Sequence, residues 1–260
     1  MHSVEDYAAV GQMFKGVCFK KLTLSPSSDD LRGIFNANPK LVVAMNHGPS
    51  ISPTYIAIAV GNLYLENGGA ERKFMGVIWK YAYRIPGFRK AAQLITQVDE
   101  AVNFDGFLAL FQNTEANDFF VMPEGENCAF GNGYDVEDFL SSRFLEVAIR
   151  AEVPVLLCVH YGAHLLGKAV TISDRATKLF QWMPKKNYER LQLTKTLNVP
   201  WPRGRLPELQ ITFKLYHPSL TLNDMSADKT ERTKQLNREG DSVRRLMQEM
   251  VETLKAEGLR

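Results

Sequence analysis

Three short apolar runs constrain this chain most. Leu41 to Met45 (LVVAM), Phe119 to Met122 (FFVM) and Val153 to Val159 (VPVLLCV) carry β-branched or aromatic residues and are too short for buried helices. Each reads as a strand covered on both faces, which is the habit of parallel sheets. Segments with helical spacing lie between them. The alternation predicts an α/β fold in one domain over 1–260, with a mixed, mostly parallel central sheet flanked by helices.

The remaining elements follow from local signals. A short helix is predicted over 5–17, then a strand from Val17 to Leu24 ended by the Ser25 to Ser28 turn. Ser52 with Pro53 behind it forms an N-cap and N1 pair for a helix reaching about Glu66. Lys73 to Ile78 reads as a strand, Trp79 to Tyr83 as a helical turn, and Leu94 to Val98 as strand-like, with Asp99 capping a helix to about Asn113. Val136 to Ala151 has helical spacing, with Phe139, Phe144, Val147, Ala148 and Ala151 near one face. Leu209 to Tyr216 alternates as a strand. An amphipathic helix within 226–260 closes the chain, Thr230 to Leu259, with Val243, Leu246, Met247, Met250, Val251 and Leu254 on its apolar face. Residues 165–205 show weak periodicity.

Composition removes several function classes. With 31 Lys plus Arg against 29 Asp plus Glu, the net charge of +2 lacks the basic excess of a duplex nucleic-acid binder. Cys18, Cys128 and Cys158 form no CxxC pair and read as reduced thiols, as in a cytoplasmic protein. The N-terminus does not read as a secretory signal, and no apolar stretch reaches the ~18 residues of a spanning helix. There is no Gly-x-Ser-x-Gly elbow, Walker A loop or Gly-x-Gly-x-x-Gly after a strand, which argues against common serine hydrolases, P-loop NTPases and Rossmann dehydrogenases.

Ligands of open α/β sheets gather beyond the carboxyl ends of strands. Three such ends carry chemistry here. His47, between Asn46 and Gly48-Pro49, is either a general base at the sheet rim or a histidine that hydrogen-bonds its loop. Pro123-Glu124-Gly125-Glu126-Asn127 is either a substrate-positioning loop or a polar turn after a buried strand. His160 and His164 are four residues apart but follow a strand through Gly162, with no third ligand at suitable spacing, so no metal site is assigned.

Taken in order, these segments resemble the glycerolipid acyltransferase superfamily, the lysophosphatidic-acid and glycerol-3-phosphate acyltransferases, over roughly residues 17 to 255. The family's Asn-His-x-x-x-x-Asp block stands here as Asn46-His47-Gly48-Pro49-Ser50-Ile51-Ser52. A second region matches Lys73 to Gly76, Tyr83 to Phe88 and Leu94 to Asp99. The family's Phe-Pro-Glu-Gly-Thr block reads Met122-Pro123-Glu124-Gly125-Glu126, and its Val-Pro-Ile strand reads Val153-Pro154-Val155. The resemblance implies that His47 deprotonates an acceptor hydroxyl, which attacks the thioester of acyl-CoA or an acyl carrier protein. It implies no other cofactor. Asn46, Gly48, Pro123, Gly125, Glu126 and Asn127 would bind substrate, and Ser52 and Glu124 would stand with His47 in the catalytic set. The implied acceptor is a lysophospholipid-like molecule.

Two departures matter. Ser52 replaces the family's aspartate; a serine hydroxyl can accept an imidazole N–H but carries no charge, so either activity is low or Glu124 or Glu126 supplies the carboxylate. Glu100 stands where the family often places a phosphate-gripping arginine, which leaves Arg84, Arg89 and Arg143 as phosphate partners or plain surface charges. Two alternatives follow: a lipid- or acyl-carrier-binding module with weakened catalysis, and an acyltransferase for a soluble, non-phosphate acceptor. For a protein working on bilayer lipids, Phe180 to Arg205 offers Trp182, Met183, Leu191 and Trp201 among Lys185, Lys186, Arg190, Arg203 and Arg205. That stretch is either a peripheral surface for anionic membrane or a long loop burying its tryptophans. Met13, Phe14, Val17 and Phe19 with Lys15, Lys20 and Lys21 offer similar residue types, and there the packed reading is preferred.

Overall fold

The computed structural model describes residues 1–78, 80–201 and 204–258. Trp79, Arg203 and Leu259, which the sequence reading assigned to a helical turn, a basic surface and the last helix, lie outside them. In chain order the elements begin α1 (Ala8–Cys18), β1 (Phe19–Leu24), α2 (Leu31–Ala37), β2 (Leu41–Met45), α3 (Ser52–Glu66) and β3 (Phe74–Gly76). Then come α4 (Phe88–Thr96), α5 (Phe104–Asn113), β4 (Asp118–Val121), α6 (Arg143–Ala151), β5 (Val155–Tyr161), β6 (Gly167–Thr171) and α7 (Asp174–Thr177). The chain continues through α8 (Lys185–Thr194), β7 (Thr196–Pro200) and β8 (Leu206–Tyr216), and closes with α9 (Lys229–Glu257).

Six strands form the central sheet in the order β1-β8-β5-β2-β4-β3. All neighbours are parallel except β5 and β8. The expected mixed, mostly parallel sheet is therefore present. Every residue of β2 is buried, as its unbroken apolar run requires. Successive side chains of a strand point to opposite faces. Val42 and Ala44 accordingly join one core with Phe107, Phe111, Phe144, Leu145, Val243 and Met247 from α5, α6 and α9. Leu41, Val43 and Met45 join the other with Ile34, Phe35, Ile56 and Tyr64 from α2 and α3.

Several expectations are corrected. Leu94 and Ile95 are helical, not strand: α4 turns Ala92 and Thr96 inward at i, i+4 spacing and leaves Leu94 and Ile95 exposed. The cap of α5 is Asn103, whose side chain accepts the Gly106 N–H, and not Asp99. Ser52 is the first residue of α3 and not its cap. The helix expected from Val136 starts only at Arg143. The amides before it serve other partners: Val136 donates to Gln248, Glu137 to Glu124, and Leu140 to the Pro123 carbonyl. Helix α2, capped by Asp30, and the two-stranded antiparallel β6–β7 sheet were not foreseen.

One buried ion pair ties the sheet to α2. Arg72 Nε and Nη2 donate to the two oxygens of Asp118 at 2.8 and 2.6 Å, and Nη1 donates to the Asn38 carbonyl at 3.0 Å. Removing one partner of such a pair strands the other charge in the interior. We expect Arg72→Leu to cost about 3–5 kcal/mol in chemical denaturation. A loss below ~1 kcal/mol, the range of a surface pair, would contradict that account.

Candidate functional site

Strands β4, β2 and β5 are parallel neighbours, so their carboxyl ends share one rim. His47, Glu124 and His160 are brought together there. Where β2 stops, its backbone polar groups must find new partners, since buried N–H and C=O groups are costly to leave unpaired. Four side chains supply them. Asn46 Oδ1 accepts the His160 N–H at 2.9 Å, and its Nδ2 donates to the His160 carbonyl at 3.2 Å. Glu124 Oε1 accepts the His47 N–H at 2.6 Å, and Oε2 accepts the Glu137 N–H at 2.8 Å. The Ser52 hydroxyl lies on the carbonyls of His47 and Pro49. The His160 ring meets the Asn46 carbonyl at 3.0 Å.

Asn46, Ser52, Glu124 and His160 are all buried, while His47 is half-buried. Gly48 turns the chain with φ +64°, where a side chain would strain the backbone and meet the His160 ring and the Ser52 hydroxyl, each 3.1 Å from an added Cβ. Across the rim, Gly133 comes so near Pro49 that an added Cβ would lie 3.2 Å from its ring and 2.6 Å from Asn198 of β7. Arg190 of α8 pairs with Glu137 and Asp138 and so fastens the 131–138 segment beside the rim.

The His47 ring meets main-chain oxygen: Nδ1 lies 3.2 Å from the Gly48 carbonyl, and the residue's own backbone also bears on it. A carbonyl only accepts, so Nδ1 carries the proton and Nε2 keeps its lone pair. Burial pulls the imidazole below its usual value, which leaves it neutral near pH 7. Neither Ser52 nor Glu124 meets this ring. Ser52 spends its hydroxyl on main-chain oxygens, so the expected imidazole contact at position 52 is corrected. Glu124 holds the His47 backbone. Glu126 is exposed and takes a 3.3 Å bond from Asn187. Pro123 and Asn127 are buried, and Asn127 donates to the Asp138 carbonyl at 2.7 Å; both shape the loop from within. Gly125 has φ +51° and abuts Leu140.

A cavity of about 280 Å³ opens on the α5–α6 side of the sheet. Val98, Phe107, Phe119, Val121, Phe144 and Val147 line its apolar interior. Val121 pairs with Ala44, so this cavity begins one strand away from the segment leading to His47. Glu100 and Arg143 both stand on its wall and are exposed; Arg84 and Arg89 are exposed elsewhere. His164 sits in the turn after β5, packed against Tyr134 and Tyr161. Among the described residues no group of His, Cys, Asp or Glu is arranged to hold a metal.

No protein-family model and no curated protein matches the chain.

Sequence reasoning placed His47 and Glu124 side by side at this rim but missed how they are held. The amphoteric side chain of Asn46 beside a strand end was the available signal for the bridge to β5.

Burial pushes the Glu124 carboxyl up to about 8, against the two backbone N–H donors that hold it down. The folded protein therefore binds this proton more tightly than the unfolded chain, where a glutamate titrates near ~4.3. The stability it contributes is complete below the unfolded value and is lost as pH rises through about 8. We expect the unfolding free energy to decline from roughly pH 5 to pH 8. Glu124→Gln, which cannot titrate, should flatten that slope while lowering stability by about 1–3 kcal/mol through the lost acceptor. An unchanged slope in equilibrium unfolding would contradict this.

Proposed function

We propose that the protein transfers an acyl group from a thioester, carried on coenzyme A or an acyl carrier protein, to a hydroxyl of a lysophospholipid-like acceptor. This reading rests on the half-exposed His47 at the carboxyl rim, whose Nδ1 faces the Gly48 carbonyl so that Nε2 keeps its lone pair, and on an apolar cavity that His47 does not line and that begins one strand away. His47 Nε2 takes the hydroxyl proton as the acceptor oxygen attacks the thioester carbon. The C–S bond then breaks, and the departing sulfur receives the proton back. The cavity takes the first part of the acyl chain; its volume lies at the small end for ligand pockets, so a long chain would continue outward along the rim.

The same geometry favours a second reading, a lipid- or acyl-carrier-binding module with weak catalysis. No carboxylate steadies the imidazolium that the reaction creates. In a serine-protease triad, losing that charge costs about 10⁴ in kcat. Ser52→Asp would not repair this, because a carboxylate there faces the carbonyls of His47 and Pro49.

Thiol release from a long-chain acyl-CoA, measured with and without a lysophospholipid, tests the first reading. Acceptor-dependent release should fall about 10²–10⁴-fold in His47→Ala. Because burial lowers the folded His47 below its ordinary value, the acidic limb of the pH–activity profile should lie at lower pH than an unperturbed imidazole would give. Unchanged turnover in His47→Ala removes the site, whereas ligand binding without turnover favours the module.

The acceptor would come from an anionic membrane surface. No helix among the described residues is long and apolar enough to cross a bilayer. Trp182 and Leu179 are 79% and 75% exposed, and Trp201 is 55% exposed with Lys168 Nζ 5.9 Å over its ring. These two tryptophans are not buried in a packed loop. On α1, Val10, Met13, Phe14 and Val17 also face outward, whereas Phe19 is buried. Apolar tips beside cations suit anionic headgroups. We expect sedimentation with phosphatidylglycerol vesicles, weaker with phosphatidylcholine, and a several-fold reduction in Leu179→Asp/Trp182→Asp. Absence of binding to both vesicle types would favour a soluble acceptor.

A further inference from the structure

The peptide group between Asn46 and His47 is gripped at both ends. Its N–H donates to Glu124, and its carbonyl lies 3.0 Å from Nε2 of His160. Since the carbonyl can only accept, the His160 ring proton sits on Nε2. The Asn46 side chain adds two bonds to the His160 backbone, one accepting and one donating. They extend the β2–β5 ladder beyond its last paired residues, Met45 and Cys158. His160 is 1% exposed and wedged under the Gly48 turn, with its Cε1 3.1 Å from where a Gly48 Cβ would stand.

We propose that His160 is a positioning residue for His47: its Nε2–H holds the Asn46 carbonyl and so fixes the peptide plane from which the His47 ring projects. This rests on His47 acting as the base. His160 itself takes no proton from substrate, because its ring is sealed from the rim and its one mobile proton is committed to a main-chain oxygen. Burial holds its imidazole near 3, so the neutral donor form persists across the working pH range. His160 thus pairs with Asn46, while His164 packs separately against Tyr134 and Tyr161. An error of about 1 Å in the placement of a reacting group can cost ~10²-fold in rate.

Two substitutions separate positioning from bulk stability. His160→Leu removes the donor at similar volume; His160→Gln places an amide N–H near the position of Nε2. In the thiol-release assay, His160→Leu should lower kcat by roughly 10- to 100-fold with KM little changed, and His160→Gln should recover most of the rate. In parallel, nuclear magnetic resonance titration of the His47 ring should show it moving up toward the ordinary imidazole value in His160→Leu and returning in His160→Gln. A folded His160→Leu protein with wild-type kcat and wild-type His47 titration overturns the proposal. If that variant does not fold, the wild-type protein decides by ring ¹⁵N shifts: His160 must be the Nε2–H tautomer from about pH 5 to 9, and an Nδ1–H tautomer overturns the proposal. Failure of the transferase reading would show separately, as turnover that survives His47→Ala, and leaves the titration and tautomer measurements able to judge His160 alone.

Discussion

Strand β2 has water on neither face, and this governs what the chain can do when the strand ends. Inside the sheet its amides are paired by β4 and β5. The Asn46 N–H makes the last such bond, to the Cys158 carbonyl, and beyond it that pairing stops while burial continues. Unpaired main-chain groups there would cost about 1–3 kcal/mol each. Asn46, Ser52, Glu124 and His160 are the response, and each comes from a different part of the chain: the loop itself, the start of α3, the turn after β4 and the end of β5. These bonds fasten the backbone of the rim where it is buried.

The same requirement explains why polar groups in this region do not meet the His47 ring. Ser52 and Glu124 are consumed by backbone. What is left to the imidazole is a carbonyl, which selects the tautomer but offers no compensating charge. Rim architecture and imidazole basicity are therefore set by different contacts. A substitution that disturbs the main-chain brackets would alter where the ring points, while one at the Gly48 turn would also alter which nitrogen holds the proton.

Much of the fold was legible because its signals are local. LVVAM, FFVM and VPVLLCV each place a strand to within two residues, and the apolar positions of α9 fall where helical spacing puts them. The errors came where tertiary bonds overrule spacing. Residues 136–142 have a helical pattern, yet Gln248, Glu124 and Pro123 take their amides. Leu94 and Ile95 look like a strand only if apolar residues are assumed to be inside; in α4 they are outside. At the site, the residue types at the rim were legible, but their partners were not. Whether a serine hydroxyl faces an imidazole or a carbonyl depends on a turn of a few residues, and nothing in the spelling of Asn46 to Ser52 distinguishes the two.

The antiparallel step between β5 and β8 has a consequence of its own. It reverses β8 and β1 relative to the other four strands, so Phe19 and Leu206 arrive at the rim where β2, β4 and β5 depart. Arg205 fastens these arrivals by donating to the Phe19 carbonyl at 2.8 Å. The rim that carries His47 is thus walled by incoming chain as well as outgoing loops. Lengthening either approach would remodel that wall while leaving every departing loop intact, so the surroundings of the rim can change without disturbing its histidine.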